Sequence, residues 1–158
     1  MKRLICPLLI AAVFVGGAQA GPTQRVDRKF DQADLNKDQF LDAVEWLRTQ
    51  GRRASQVLAT FRFNWADANS DDRIDRTEFR ASRGGQAGGK PDKLEAFQLA
   101  DADHDGFLDP LEFSDTQPST NPWSKTLREF SRRDRNDDSL LSPSEFGIRR
   151  YNPLPGLP

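Results

Sequence analysis

Apolar positions fall along this chain in a pattern that returns four times. Phe30, Phe63, Phe97 and Phe130 each stand four residues ahead of a polar stretch, and Trp46, Phe79, Phe113 and Phe146 stand directly after it. Inside the stretches an aliphatic residue recurs at the eighth place, as Leu41, Ile74, Leu108 and Leu141. The stretches open at Asp34, Asp67, Asp101 and Asp134, so the period is 33, 34 and 33 residues. Self-similarity on this scale marks a repeated structural unit. Polar runs between matched apolar flanks predict helix, loop, helix in each repeat. One such unit leaves its apolar face uncovered, so the units are expected to pack in pairs.

The polar stretches carry the chemistry. In the third, Asp101-Ala-Asp-His-Asp-Gly-Phe-Leu-Asp-Pro-Leu-Glu112, acids alternate up to a glycine and a glutamate closes the run eleven residues after it opens. Side-chain oxygens gathered in this way suit a hard cation, which accepts mixed oxygen ligands at about 2.3–2.6 Å. The stretch resembles the twelve-residue calcium loop of the EF-hand family. The resemblance covers Phe30 to Phe146 and implies ligands at loop positions 1, 3, 5, 7 (a backbone carbonyl), 9 and 12. These are Asp34, Asn36, Asp38, Phe40, Asp42 and Glu45 in the first loop, and Asp67, Asn69, Asp71, Arg73, Asp75 and Glu78 in the second. The third supplies Asp101, Asp103, Asp105, Phe107, Asp109 and Glu112, and the fourth Asp134, Asn136, Asp138, Leu140, Ser142 and Glu145. The implied fold is all-α: two lobes of paired EF-hand units, with two-residue-scale β pairings between neighbouring loops at the eighth position. The implied cofactor is Ca2+, up to four ions.

Positions 9 and 12 also read as a capping box, Asp-x-x-Glu or Ser-x-x-Glu, which starts a helix without any metal. Pro110 and Pro143 then fall at the first helical position, where the missing N–H costs nothing. Position 9 is open to both roles, whereas the glutamate at position 12 is assigned to metal. Position 6 needs a positive φ, which glycine adopts freely. Only Gly106 meets that need, against Gln39, Asp72 and Ser139. The third loop is therefore expected to bind tightest, then the second, then the first. The fourth is expected to be weakest, with Ser142 in place of a carboxylate and Arg133 where the other repeats have alanine.

Ahead of the repeats lie Lys2 and Arg3, an apolar stretch from Leu4 to Val15, and Ala18-Gln-Ala20, the three-part layout of a secretory signal peptide over residues 1–20. Its removal takes away the only cysteine, Cys6, and the only methionine. The remaining chain forms no disulfide, so core packing and metal are left to stabilise it. A bacterial periplasm or secretion fits this reading. Residues 22–83 and 92–150 are expected to form the two pairs, joined by a glycine-rich linker at 84–91. Residues 114–123 should form an extended connection, and 151–158 a proline-rich tail that cannot continue a helix.

From Gly21 onward the chain has 21 basic and 24 acidic residues; 18 of the acids lie in the loops and 17 of the basic residues outside them. Four divalent cations would turn a net charge of −3 into +5. Metal is thus expected to relieve repulsion and to stabilise the fold. A loaded form with arginines such as Arg52, Arg53, Arg132, Arg133, Arg149 and Arg150 could dock on anionic envelope lipid or an acidic protein. That is the sensor alternative to an exported buffer or metal-stabilised module. Buffer is favoured by the lack of methionine and by the polar exit segments Arg80–Arg83 and Ser114–Gln117. Val57, Phe61 and Trp65 make an additional apolar stripe that either receives a partner or is covered from within. The carboxylate richness of position 9 also resembles the periplasmic lanmodulin family, which suggests lanthanides as another alternative. The absence of proline at loop position 2 and the wider loop spacing depart from that family. Catalysis finds no support: His104, the only histidine, sits at a solvent-facing loop position, and the carboxylate pairs are accounted for by the loops. An acidic balance argues against nucleic acid.

Overall fold

The computed structural model describes residues 21–85 and 88–149. Residues 1–20, expected to be a signal peptide, Gln86 and Ala87 of the glycine-rich stretch, Arg150 and the tail lie outside the described residues. Eight helices and two short strands follow in order among them: α1 (Pro22–Ala33), β1 (Phe40–Leu41), α2 (Ala43–Thr49), α3 (Gln56–Ala66), β2 (Ile74–Asp75), α4 (Arg76–Ala81), α5 (Lys93–Ala100), α6 (Pro110–Asp115), α7 (Trp123–Ser131) and α8 (Pro143–Phe146). The fold is all-α, as the repeat predicts.

Local chemistry sets the helix boundaries. Capping boxes start α2, α4, α6 and α8, and another, Asp92 with Glu95, starts α5. Pro110 and Pro143 occupy first-turn positions, as expected. The helices entering the loops have 12, 11, 8 and 9 residues, and those leaving them only 7, 6, 6 and 4.

All eight flanking aromatics are buried, and they form two cores. The first gathers Phe30, Leu41, Trp46, Phe63, Ile74 and Phe79; the second gathers Phe97, Leu108, Phe113, Phe130, Leu141 and Phe146. The same edge-to-face contacts recur in both. Phe30–Phe79 (5.4 Å between centroids) corresponds to Phe97–Phe146 (5.6 Å), Trp46–Phe63 (6.0 Å) to Phe113–Phe130 (5.7 Å), and Trp46–Phe79 (6.1 Å) to Phe113–Phe146 (6.5 Å). Each entering aromatic therefore meets the exit aromatic of the neighbouring repeat. This is why repeats pair. The eighth-position aliphatics are fully buried and close each pair, Leu41 opposite Ile74 in the antiparallel β1–β2 ladder and Leu108 opposite Leu141 as a single bridge.

Helix α3 belongs to both cores. Its Phe63 and Ala66 pack in the first, while Val57 is buried in the second. Trp46 donates its Nε1–H to the Ala59 carbonyl at 3.0 Å, fixing α2 to the middle of α3. The apolar stripe on α3 is thus covered in a gradient: Val57 is buried, Phe61 half-buried and Trp65 56% exposed.

Residues 114–123 do not run extended. They fold into successive turns, with Gln117 N–H donating to the Ser114 carbonyl and Asn121 N–H to that of Pro118. Ser119 reaches the first half, donating its hydroxyl to the Arg52 carbonyl (2.9 Å) and its N–H to that of Ala54 (3.4 Å). These long-range acceptors make the turned path favourable over an extended one. Gly85 is buried: a Cβ there would lie 2.7 Å from Thr49 Oγ1 and 2.8 Å from Gln50 Nε2.

Two ion pairs join α4 to α1: Arg76 to Asp31 at 2.6 Å and Arg80 to Asp27 at 2.7 Å. The Arg80 guanidinium holds the Asp27 carboxyl below its ordinary value. Because that value is depressed in the fold, the pair's contribution is complete above the unfolded carboxylate range and is lost as pH falls through the folded value. The stability difference between the protein and Asp27→Asn should therefore vanish in acid, as measured by urea unfolding across pH. Phe113→Ala should cost about 3–5 kcal/mol in the same assay, because the ring contacts both Phe130 and Phe146.

Candidate metal centres

Each loop is built by the same ladder of side-chain oxygens on backbone N–H groups. The opening carboxylate accepts the N–H of the sixth residue on Oδ2: Gln39 (3.1 Å), Asp72 (3.0 Å), Gly106 (3.1 Å) and Ser139 (3.1 Å). Asn36, Asn69, Asp103 and Asn136 at position 3 accept from the fifth residue, and Asp38, Asp71, Asp105 and Asp138 at position 5 accept from the seventh. Such local bonds favour turns over helix, which is why the entering helix stops at each loop. The sixth residues all have positive φ, Gln39 72°, Asp72 60°, Gly106 84° and Ser139 66°. Position 4 adopts it too, through Lys37, Ser70, His104 and Asp137 (57–60°). That second left-handed residue is not readable from these side chains, which share no chemistry.

The closing glutamates bind at both ends of their loops. Glu45, Glu78, Glu112 and Glu145 accept on Oε1 from the second residue of the loop (2.8, 3.1, 2.9 and 3.0 Å). On Oε2 they accept from the ninth (3.3, 3.0, 2.9 and 2.9 Å). Asp42, Asp75, Asp109 and Ser142 at position 9 cap the exit helices, so the helix-starting role of that position is realised in every repeat. Glu145 differs from the others in also receiving the Ser142 hydroxyl at 2.7 Å. That bond, with the N–H groups of Arg135 and Ser142, holds its carboxyl below the usual range. At position 7, the Arg73 guanidinium lies 5.8 Å from the Phe40 ring centroid, so these two side chains meet each other across the paired strands. Phe107 is exposed and Leu140 half-buried. Arg133, standing where other repeats have alanine, lies over the Phe113 and Phe146 rings at 5.5 and 5.9 Å.

One set of oxygens is left over. Asp34 Oδ1, Asp101 Oδ1 and Asp134 Oδ1 are buried and have no hydrogen-bond partner. Leaving a buried acceptor unpaired costs about 1–3 kcal/mol, and more for a charged group. In the first loop, oxygens of Asp34, Asp38 and Glu45 lie within 4.8 Å of one another; in the third, those of Asp101, Asp103 and Glu112 do so. Burial pushes the Asp101 carboxyl up; the Gly106 N–H opposes this, while the charges of Asp105 and Glu112 reinforce it. The loop N–H groups named above already donate elsewhere. A cation answers several converging oxygens at once and needs no hydrogen-bond direction, so the residues fit one. The donors are hard oxygens, which favour Ca2+ or Mg2+ over a soft transition metal. The second loop differs. Asp67 accepts on Oδ2 from Asp72 and on Oδ1 from Asp71 N–H (3.2 Å), so neither oxygen is unpaired.

Residues 94–115, from α5 through the third loop and α6, match the EF hand family. This supports the EF-hand family for the third repeat, and with it calcium as the cation. No curated protein matches the chain. Among solved structures, the chain is similar to a homolog of programmed cell death 6 protein from Leishmania major Friedlin, at 17% identity and a TM-score of 0.34, over 79% of this chain and 73% of that one.

A non-glycine residue in the left-handed region costs roughly 1–2 kcal/mol. Gln39→Gly should therefore tighten calcium binding at the first loop several-fold, whereas Gly106→Ala should weaken the third by a similar factor. Isothermal calorimetry on the two variants checks both.

Proposed function

We propose that the protein is an exported calcium-binding protein whose four loops each take an ion, and that it acts as a buffer or a metal-stabilised module. The observation that carries this reading is the unpaired, buried Oδ1 of Asp34 and of Asp101, each set among two further carboxylates. Bound calcium would be held by the opening carboxylate, the side chains at positions 3 and 5 and the closing glutamate, and would supply the positive charge these oxygens lack. The 24 residues named from the sequence are the proposed ligand set.

Buffering rather than sensing is supported by the short exit helices, with only six residues in α6 and four in α8. Such arms offer little groove for a target helix. Export rests on the layout of residues 1–20. No helix among the described residues is long and apolar enough to cross a membrane.

A competition titration with calcium, magnesium and lanthanum, followed by circular dichroism, tests the reading. Calcium should bind ahead of magnesium and raise the melting temperature, by about 2.7 kcal/mol of stability for each site at a hundredfold excess over its Kd. Glu112→Gln should remove most binding at the third loop. Dialysis against millimolar calcium that leaves the protein metal-free would overturn the proposal, and lanthanum bound orders of magnitude more tightly would move it to the lanthanide alternative.

A further inference from the structure

We propose that the loops fill in a fixed order, one ion in each pair first, at loops one and three, and that loops two and four follow only at higher calcium. This deepens the calcium reading and rests on it.

The opening carboxylates carry the distinction. Asp34 and Asp101 are 7% and 8% exposed, each with an oxygen that no donor reaches. Their loops also hold three carboxylates already gathered within 4.8 Å. An ion entering there relieves an existing electrostatic cost and moves little. Loop two offers the reverse arrangement. Asp67 is less buried, and both its oxygens are satisfied by Asp71 and Asp72 N–H groups. An ion at loop two would share an oxygen already answered by the Asp71 N–H, so it relieves no unpaired acceptor there. Loop four stands between these cases. Asp134 Oδ1 is unpaired, but Asp134 is less buried than Asp34 and Asp101. The Ser142 hydroxyl donates to Glu145 at 2.7 Å, a bond the other loops lack because their ninth residue is aspartate. The order differs from the one given by the sixth residue alone, which places loop two above loop one.

The sixth-residue amides of the four loops read each site without any mutation, since each donates to its own opening carboxylate. In an NMR titration of the protein from Gly21 on, the Gln39 and Gly106 amides should move with the first two equivalents of calcium. The Asp72 and Ser139 amides should move only after these are complete, at calcium at least tenfold higher. A calorimetric companion compares Asp34→Asn and Asp101→Asn, each expected to remove one ion from the tight phase, with Asp67→Asn, expected to leave that phase at two ions. Far-UV circular dichroism confirms that each variant is folded. Asp72 moving with or before Gln39, or four amides moving together, overturns the order and leaves the calcium reading intact. If no amide moves up to millimolar calcium, the calcium reading falls, and the order with it.

Discussion

Everything in each repeat is organised around the closing glutamate. Its two oxygens accept N–H groups from the second and the ninth residue of the loop. One of these lies just beyond the entering helix, and the other is the cap of the exit helix. A single side chain thus fixes where the two helices stand relative to each other. The aromatics placed just outside the loop can then meet the aromatics of the neighbouring repeat in the same edge-to-face geometry in both cores. The loop is consequently the frame of the core as well as a candidate ion site, and charge balance in the loop and packing in the core are two sides of one arrangement.

That frame leaves an imbalance. Side-chain oxygens hold the loop backbone in shape, so its N–H groups are engaged and one oxygen of the opening carboxylate faces inward unanswered in three loops. Repulsion among 18 loop acids would press the loops apart, while the basic residues that could neutralise them lie mostly elsewhere. The ion pairs between α4 and α1, Arg76 and Arg80 with Asp31 and Asp27, tie the two helices together and do not reach the loop centres. Exposed pairs of this kind contribute modestly. A divalent cation is the species that can compensate the loop charge where it is concentrated.

Much of this is legible in the chain because it is local or periodic. The eight aromatics, the four eighth-position aliphatics and the capping boxes are set by spacing, and each stands in the structure where spacing puts it. What the sequence hides is long-range or bond-specific. The turned path of 114–123 depends on carbonyls of Arg52 and Ala54, more than 60 residues away in sequence. The Asp71 N–H on Asp67 Oδ1 appears in a loop whose ligand positions carry the same residue types as the first apart from position 7, so composition does not announce it. The glycines at 84–85 read as flexible by composition, yet Gly85 has φ 87° and a Cβ there would crowd Thr49 and Gln50.

Helix α3 lends its first turn to one core and its last to the other. A half-length fragment ending before the glycine-rich stretch would strand Val57 without its apolar surroundings and lose the neighbour that shields it. Whatever shapes one half therefore also constrains the face that α3 offers to the other.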